Sequence, residues 1–199
     1  MYYLIRALKK LKPISKKRVN IHKTSKIEGG TQIVNSSMDK YSFCGYDCVI
    51  INTRIGSFCS LANNIKIGLV SHPLNWVSTS CAFYYGRDSI KKDLANLEYT
   101  NIDPITVIGN DVWIAENVII KAGVKISDGA VIGMGSVLTN DVGPYEIWAG
   151  NPARLIRKRF DEDTINKLLK SKWWDLEDEK IQTVSKFMNE PLRFLDKLR

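Results

Sequence analysis

From Ile102 onward an aliphatic residue recurs every six positions: Ile102, Ile108, Ile114, Ile120, Ile126, Ile132 and Leu138. Four places after each stands a small or β-branched residue: Thr106, Val112, Val118, Val124, Ala130, Ser136 and Val142. The same period runs earlier through Ile21, Ile27 and Ile33, breaks near Met38, and resumes at Phe43, Val49, Ile55, Leu61 and Ile67. A period of six fits neither an α-helix, at 3.6, nor a long alternating strand, at 2.0. It fits short strands joined by tight turns, each strand placing its anchor and its small residue inward. Three such strands close a triangular coil of about 18 residues, and about five stacked coils bury one aliphatic column. Parallel backbone hydrogen bonds then join each coil to the next.

Two segments break the pattern. Residues 68–101 carry no six-residue period and are rich in polar and aromatic residues, so they read as a loop inserted into the rod. Residues 160–189 switch to helical spacing, with Ile165, Leu168 and Leu169, then Ile181, Val184 and Met188, on common faces, and Trp173-Trp174 between them. Asp161, Glu162 and Asp163 mark a helix start. The expected helix packs on the end of the rod and covers its open edge. The chain thus divides into a basic arm or short helix at 1–20, the coil at 21–159 with its inserted loop, and a helical extension at 160–199.

Charge refines this picture. The net charge of +8 resides in residues 1–27, which hold nine Lys/Arg and no acid; the remaining 20 bases face 21 acids. A near-neutral body argues against nucleic acid as partner. The arm, with Leu4, Ile5, Leu8 and Leu11 among its bases, suits contact between residues 1–20 and an anionic membrane surface. No apolar run reaches the roughly 18 residues of a membrane span. The patch Tyr2–Ile5, interrupted by Arg6, is too short for an export signal, so a cytoplasmic place, peripheral to the inner membrane, is expected. Cys44, Cys48, Cys59 and Cys81 lack metal-ligand spacing and are expected as buried thiols.

The loop holds the main chemical candidate. His72, in Ser71-His72-Pro73, is one of two histidines, the other being His22 in the arm. Pro73 restricts the backbone of His72 and so its direction. An imidazole can take the proton of a hydroxyl nucleophile near neutral pH. Cys81 is the rival nucleophile in the same loop. Trp76, Phe83, Tyr84 and Tyr85 offer an aromatic wall for an acceptor, against the plainer reading of loop packing.

The segment VIGNDVWIAENVIIKAGVKISDGAVIGMGSVLTNDV, followed by WAGNPARLIRKRF and preceded by the SHP loop, resembles the hexapeptide-repeat acyltransferases. Within them it is most similar to the xenobiotic acetyltransferase branch, which includes chloramphenicol and streptogramin acetyltransferases and polysaccharide O-acetyltransferases. The resemblance implies a mainly β fold, a left-handed parallel β-helix, assembled as a homotrimer with active sites between subunits. It implies acetyl-CoA as cosubstrate, no metal, and His72 as general base. The acceptor expected is a hydroxyl on a sugar of a bacterial surface polysaccharide or its precursor. An antibiotic hydroxyl and an amino sugar are the alternatives. Trp76, Tyr84 and Tyr85 are expected at the acceptor. By motif, Ala115, Glu116, Met134, Thr139 and Asn140 line the coenzyme, and Arg154 and Arg157 meet its phosphates. Relatives often have Gly-Ser or Gly-Ala at Ala115-Glu116, Gly-Ala-Gly at Gly133-Met134-Gly135, and Lys at Asn140. A β-helix metalloenzyme of the carbonic anhydrase kind would need three histidines per metal, and a non-catalytic scaffold would be indifferent to loss of His72.

Overall fold

The computed structural model describes residues 1, 8, 11–69, 71–86, 89–99 and 104–198. Most of the expected helix at 1–12, and with it Leu4 and Ile5, lies outside them, as does the anchor Ile102.

The chain winds into a three-faced parallel β-helix. The first face stacks Ser15–Ile21, Gln32–Met38, Val49–Ile51, Lys66–Leu69, Ile119–Lys121 and Val137–Leu138. Ser15–Ile21 and Gln32–Met38 bend onto the second face, which continues through Thr53–Ile55, Thr106–Ile108 and Lys125–Ile126. The third stacks Lys26–Ile27, Phe43–Cys44, Ser60–Leu61, Trp113–Ile114, Val131–Ile132 and Glu146–Gly150. The coil therefore begins at Ser15, inside the segment expected as an arm, and has one more layer on its third face than the hexads alone give.

The pitch is not uniform. Lys26 pairs with Phe43 and Phe43 with Ser60, a step of 17 residues, whereas Trp113 pairs with Val131, a step of 18. In the shorter layers one corner carries a residue fewer. The inward anchors are accordingly Met38, Cys44 and Ile50, all buried, while Phe43 is 40% exposed and Val49 only half-buried. The expected register at Phe43 and Val49 is off by one, because the break at Met38 is a shortened corner and not an interruption of the coil.

Two residues before each anchor stands a second inward residue, small or β-branched. Where it bears a hydroxyl or thiol, it ties one layer to the next. The Thr31 hydroxyl donates to the Gly45 carbonyl at 3.0 Å and accepts the Cys48 N–H at 3.2 Å. The Ser42 hydroxyl donates to the Gly56 carbonyl at 2.7 Å and accepts the Cys59 N–H at 3.0 Å. Buried backbone groups at the corners thereby find partners. Cys48 and Cys59 continue the pattern with thiols donating to Ala62 and Gly109 carbonyls. Contact with Cys48 and burial push the Cys44 thiol up, and burial pushes Cys59 up to about 12, so neither is a thiolate nucleophile. Left-handed corner residues, among them Asn35, Asn52, Asp47, Asn64, Asp111 and Asn117, turn the chain between faces.

The C-terminal edge is closed by an antiparallel strand, Ala153–Lys158, that folds back on Glu146–Gly150. The expectation that the helices cover this edge is not met. Helices α1 (Glu162–Ser171), α2 (Asp178–Val184) and α3 (Pro191–Leu198) instead pack along one corner of the rod. Asp161 starts α1, its carboxylate accepting the Thr164 N–H at 2.8 Å and hydroxyl at 2.9 Å, which holds it below the usual carboxylate range. Tyr41 stacks on Phe58 at 5.1 Å, and Phe58 meets Trp173 at 4.9 Å, so corner rings of two layers anchor the helices. Trp173, Trp174, Ile165, Leu168, Val184, Phe194 and Tyr145 form this second core.

Candidate active site

The loop leaves the first face after Leu69 and returns at Thr106 on the second. It takes the place of the corner occupied in other layers by Asn35, Asn52 and Gly123. The layers on either side pair across it without interruption, Lys66 with Ile119 and Thr53 with Thr106. The loop therefore stands on a rigid base without being part of it.

His72 lies at the first turn of this loop, exposed. Its Nδ1 is 2.9 Å from the Thr79 carbonyl oxygen and 2.9 Å from the Tyr84 hydroxyl. A carbonyl oxygen can only accept, so Nδ1 carries the hydrogen and Nε2 the lone pair. The exposed imidazole thus presents a base outward, and its orientation is fixed from behind.

Tyr84 has a different place from the acceptor wall expected of it. It is 1% exposed, beneath His72. Its ring meets Trp76 edge-on at 6.0 Å and Tyr99 at 5.4 Å, and Trp76 also meets Tyr99 at 5.9 Å. Tyr85 stands 52% exposed. Beside this cluster a cavity of about 490 Å³ is lined by Asn75, Trp76, Val77, Ser78, Phe83 and Leu97. Cys81, half-buried, sits in a short helical turn, Cys81–Phe83.

The residues expected along a coenzyme fall into three groups on the chain. Ala115, Glu116 and Met134 lie on the corner between the third and first faces. There the Glu116 carbonyl accepts the Gly135 N–H at 2.9 Å, and Asn63 Nδ2 donates to the Glu116 carboxylate at 3.5 Å. Ala115 is buried, whereas Met134 is 72% exposed. Gly135, with φ +67°, has open space where a side chain would begin. Thr139 and Asn140 are exposed on the next corner, the one from which the His72 loop departs in an earlier layer. Arg154 and Arg157 are exposed on the closing strand. Each donates from Nη1 to a backbone carbonyl, of Ala153 and of Lys158, and neither meets a carboxylate among the described residues. Arg159, just after that strand, does: it pairs with Asp111 at 2.9 Å and donates to the Gly129 carbonyl at 2.8 Å. Among the described residues no group of three His, Cys, Asp or Glu comes together to hold a metal. No helix there is long and apolar enough to cross a membrane.

The Thr79 carbonyl was not legible in advance, since a backbone acceptor leaves no mark in side-chain pattern. Tyr84 was legible as part of an aromatic cluster in the loop, but its hydroxyl's partner was not.

Comparison with known proteins agrees with this architecture. Residues 105–140 match the family described as bacterial transferase hexapeptide (six repeats). A chloramphenicol acetyltransferase of Agrobacterium fabrum is 43% identical over 67% of this chain and 65% of its own. A probable macrolide acetyltransferase of Lysinibacillus sphaericus is 36% identical over 71% of this chain and 76% of its own. The chain spans about two thirds of the length of the first of these relatives. Among solved structures, the N-acyltransferase AntD of Bacillus cereus, in complex with dTDP and 3-hydroxybutyryl-CoA, superimposes with a TM-score of 0.58 at 14% identity, covering 86% of this chain and 96% of its own. The chain belongs to the hexapeptide-repeat transferase family, in the branch of the xenobiotic and polysaccharide acetyltransferases, and its coil is the family's left-handed β-helix.

Proposed function

We propose that this chain transfers an acetyl group from acetyl-CoA to a hydroxyl, with His72 as general base. The observation that carries the reading is the pair of acceptors on His72 Nδ1, which leaves Nε2 as an outward base. In the step proposed, Nε2 takes the acceptor hydroxyl's proton while that oxygen attacks the thioester carbonyl. The tetrahedral intermediate collapses with cleavage of the C–S bond, and the imidazolium returns the proton to the departing coenzyme thiolate. Membership of the family and the names of the two acetyltransferase relatives support this chemistry.

The working unit in this reading is a homotrimer. Neighbouring copies bring the His72 loop of one chain against coenzyme-lining corners of another. The open backbone at Met134-Gly135 fits close approach of an extended pantetheine arm, and Arg154 and Arg157 on the closing strand fit its phosphates. The acceptor expected is a sugar hydroxyl on a bacterial surface polysaccharide or its precursor. The second reading, an antibiotic hydroxyl, is favoured by the relatives' names and by the largely apolar lining of the loop cavity. In the cell the protein works in the cytoplasm, and the basic residues of the segment 1–20 bring it to the inner membrane surface.

The test is release of coenzyme thiol from acetyl-CoA across oligosaccharides, nucleotide sugars, chloramphenicol, macrolides and streptogramins. With the acceptor so found, His72→Ala lowers turnover by roughly 10²–10⁴-fold, the scale of general-base catalysis, while the oligomer keeps its mass. Turnover unchanged in that variant removes His72 from the mechanism.

A further inference from the structure

We infer that Tyr84 is a positioning residue for the base: its buried hydroxyl is the second of two acceptors that fix the His72 tautomer and steady the imidazolium formed as the base takes a proton. This rests on His72 acting as the base.

The geometry leads there in three steps. First, the Tyr84 hydroxyl and the Thr79 carbonyl both lie 2.9 Å from the same ring nitrogen, Nδ1. A hydroxyl could accept from Nδ1–H or donate to a bare Nδ1, but the carbonyl can only accept. A bare Nδ1 would set two lone pairs against each other at the Thr79 contact. The arrangement that satisfies all three groups is Nδ1–H shared between carbonyl and hydroxyl. Second, Tyr84 is held in place independently of His72. It is buried, its ring lies against Trp76 and Tyr99, and its backbone bridges to Leu97 in the returning arm of the loop. The Leu97 N–H donates to the Phe83 carbonyl at 3.0 Å, and the Tyr85 N–H to the Leu97 carbonyl at 3.3 Å, so the two arms are joined on both sides of Tyr84. Third, the hydroxyl approaches the ring on the side of Nδ1 and does not occupy Nε2, the nitrogen the reaction needs.

The consequence falls on the chemical step. When Nε2 takes a proton, positive charge spreads to Nδ1–H, and a hydrogen bond from a charged donor is about twice as strong as a neutral one. Tyr84 therefore stabilises the proton-transfer transition state more than the resting enzyme, which lowers the barrier without tightening substrate binding.

The variant is Tyr84→Phe, which keeps the ring and its contacts and removes one oxygen. Its kcat is expected to fall by roughly ten-fold, the worth of one hydrogen bond to a charged group, with KM for coenzyme and acceptor unchanged within about two-fold. The second readout needs no substrate. Nitrogen-15 chemical shifts of the His72 ring in the intact protein report its tautomer, which is expected to be Nδ1–H in the wild type and to move towards Nε2–H in Tyr84→Phe. A variant with wild-type kcat and an unchanged tautomer ratio overturns the inference. So does one whose whole deficit lies in KM or in lost loop structure, seen as collapse of the Leu97 amide protection. If His72→Ala keeps full turnover while Tyr84→Phe still shifts the tautomer, the general-base reading has failed and the contact has not.

Discussion

At the scale of single residues, the coil depends on what stands two places before each anchor. Thr31 is 1% exposed, and its hydroxyl serves the Cys48 N–H and the Gly45 carbonyl, groups in different stretches of the winding. Thr31→Val keeps the shape and strips both partners. Leaving buried backbone groups unpaired costs about 1–3 kcal/mol, so this variant is expected to unfold at lower urea than the wild type at equal protein concentration. A midpoint at or above the wild-type value would show that the hydroxyl only fills space. The same residues explain what could be read from the sequence and what could not. Ser, Thr, Cys and Val alternate at one inward position, and a pattern of small or β-branched side chains captures them all. A corner shortened by one residue leaves no such mark. Phe43 and Val49 look like anchors beside Cys44 and Ile50, because both members of each pair are apolar. Only the pairing of Lys26 with Phe43, and so of Ile27 with Cys44, decides which side chain enters the column.

At the scale of elements, the junction between the rod and the helical tail holds a half-buried ion pair. Asp111 stands at a left-handed corner, and Arg159 follows the closing strand; the Arg159 guanidinium also lies 5.2 Å from the Tyr145 ring and 5.3 Å from Phe160. Burial raises the Asp111 carboxyl above its ordinary range, and Arg159 opposes that shift. Arg159→Met keeps the stem and removes the partner. The variant's Asp111 loses its partner while still partly buried, a cost of roughly 1–3 kcal/mol for the charged form. A carboxyl whose folded-state pKa is raised penalises the fold above that pKa and ceases to do so as falling pH protonates it. The loss of stability in Arg159→Met is thus expected to be largest at neutral pH and to shrink as pH falls into and below the carboxylate range. Denaturation of both proteins at several pH values measures this; a difference that is constant or grows in acid contradicts it. Helical periodicity and the Asp161 start were legible in the sequence, but the docking place was not. The helices go to a corner because Tyr41, Phe58 and Tyr145 offer rings there, and rings at corner positions look in sequence like any other turn residue.

At the scale of the whole molecule, the proposed mechanism puts stability in the rod and chemistry in the loop, and that division can be cut. An ordinary short corner runs Ile50-Ile51-Asn52-Thr53-Arg54-Ile55, with Ile50, Thr53 and Ile55 buried and Asn52 at φ +47°. In the next layer Ile67 and Ile108 hold the places of Ile50 and Ile55, and Thr106 pairs with Thr53. Replacing residues 69–105 by a single Asn gives Ile67-Gly68-Asn-Thr106-Val107-Ile108, the same length and the same inward pattern. Gly68, at φ +72°, sits where any Cβ would fall 1.9 Å from the Ile51 carbonyl oxygen, so it stays glycine until the rejoined backbone relaxes. Loop-closure entropy favours the shorter connection, and of the inter-layer pairs on the three faces only that of Leu69 with Lys121 is lost, the inserted Asn taking its place. The shortened protein is therefore expected to show the wild-type far-UV circular dichroism per coil residue, cooperative unfolding at no lower denaturant, and no detectable acetyl transfer. A chain that fails to fold would mean that the loop, with its aromatic cluster, helps to nucleate the layer it interrupts. A chain that folds and still transfers acetyl groups would place the chemistry on the rod itself.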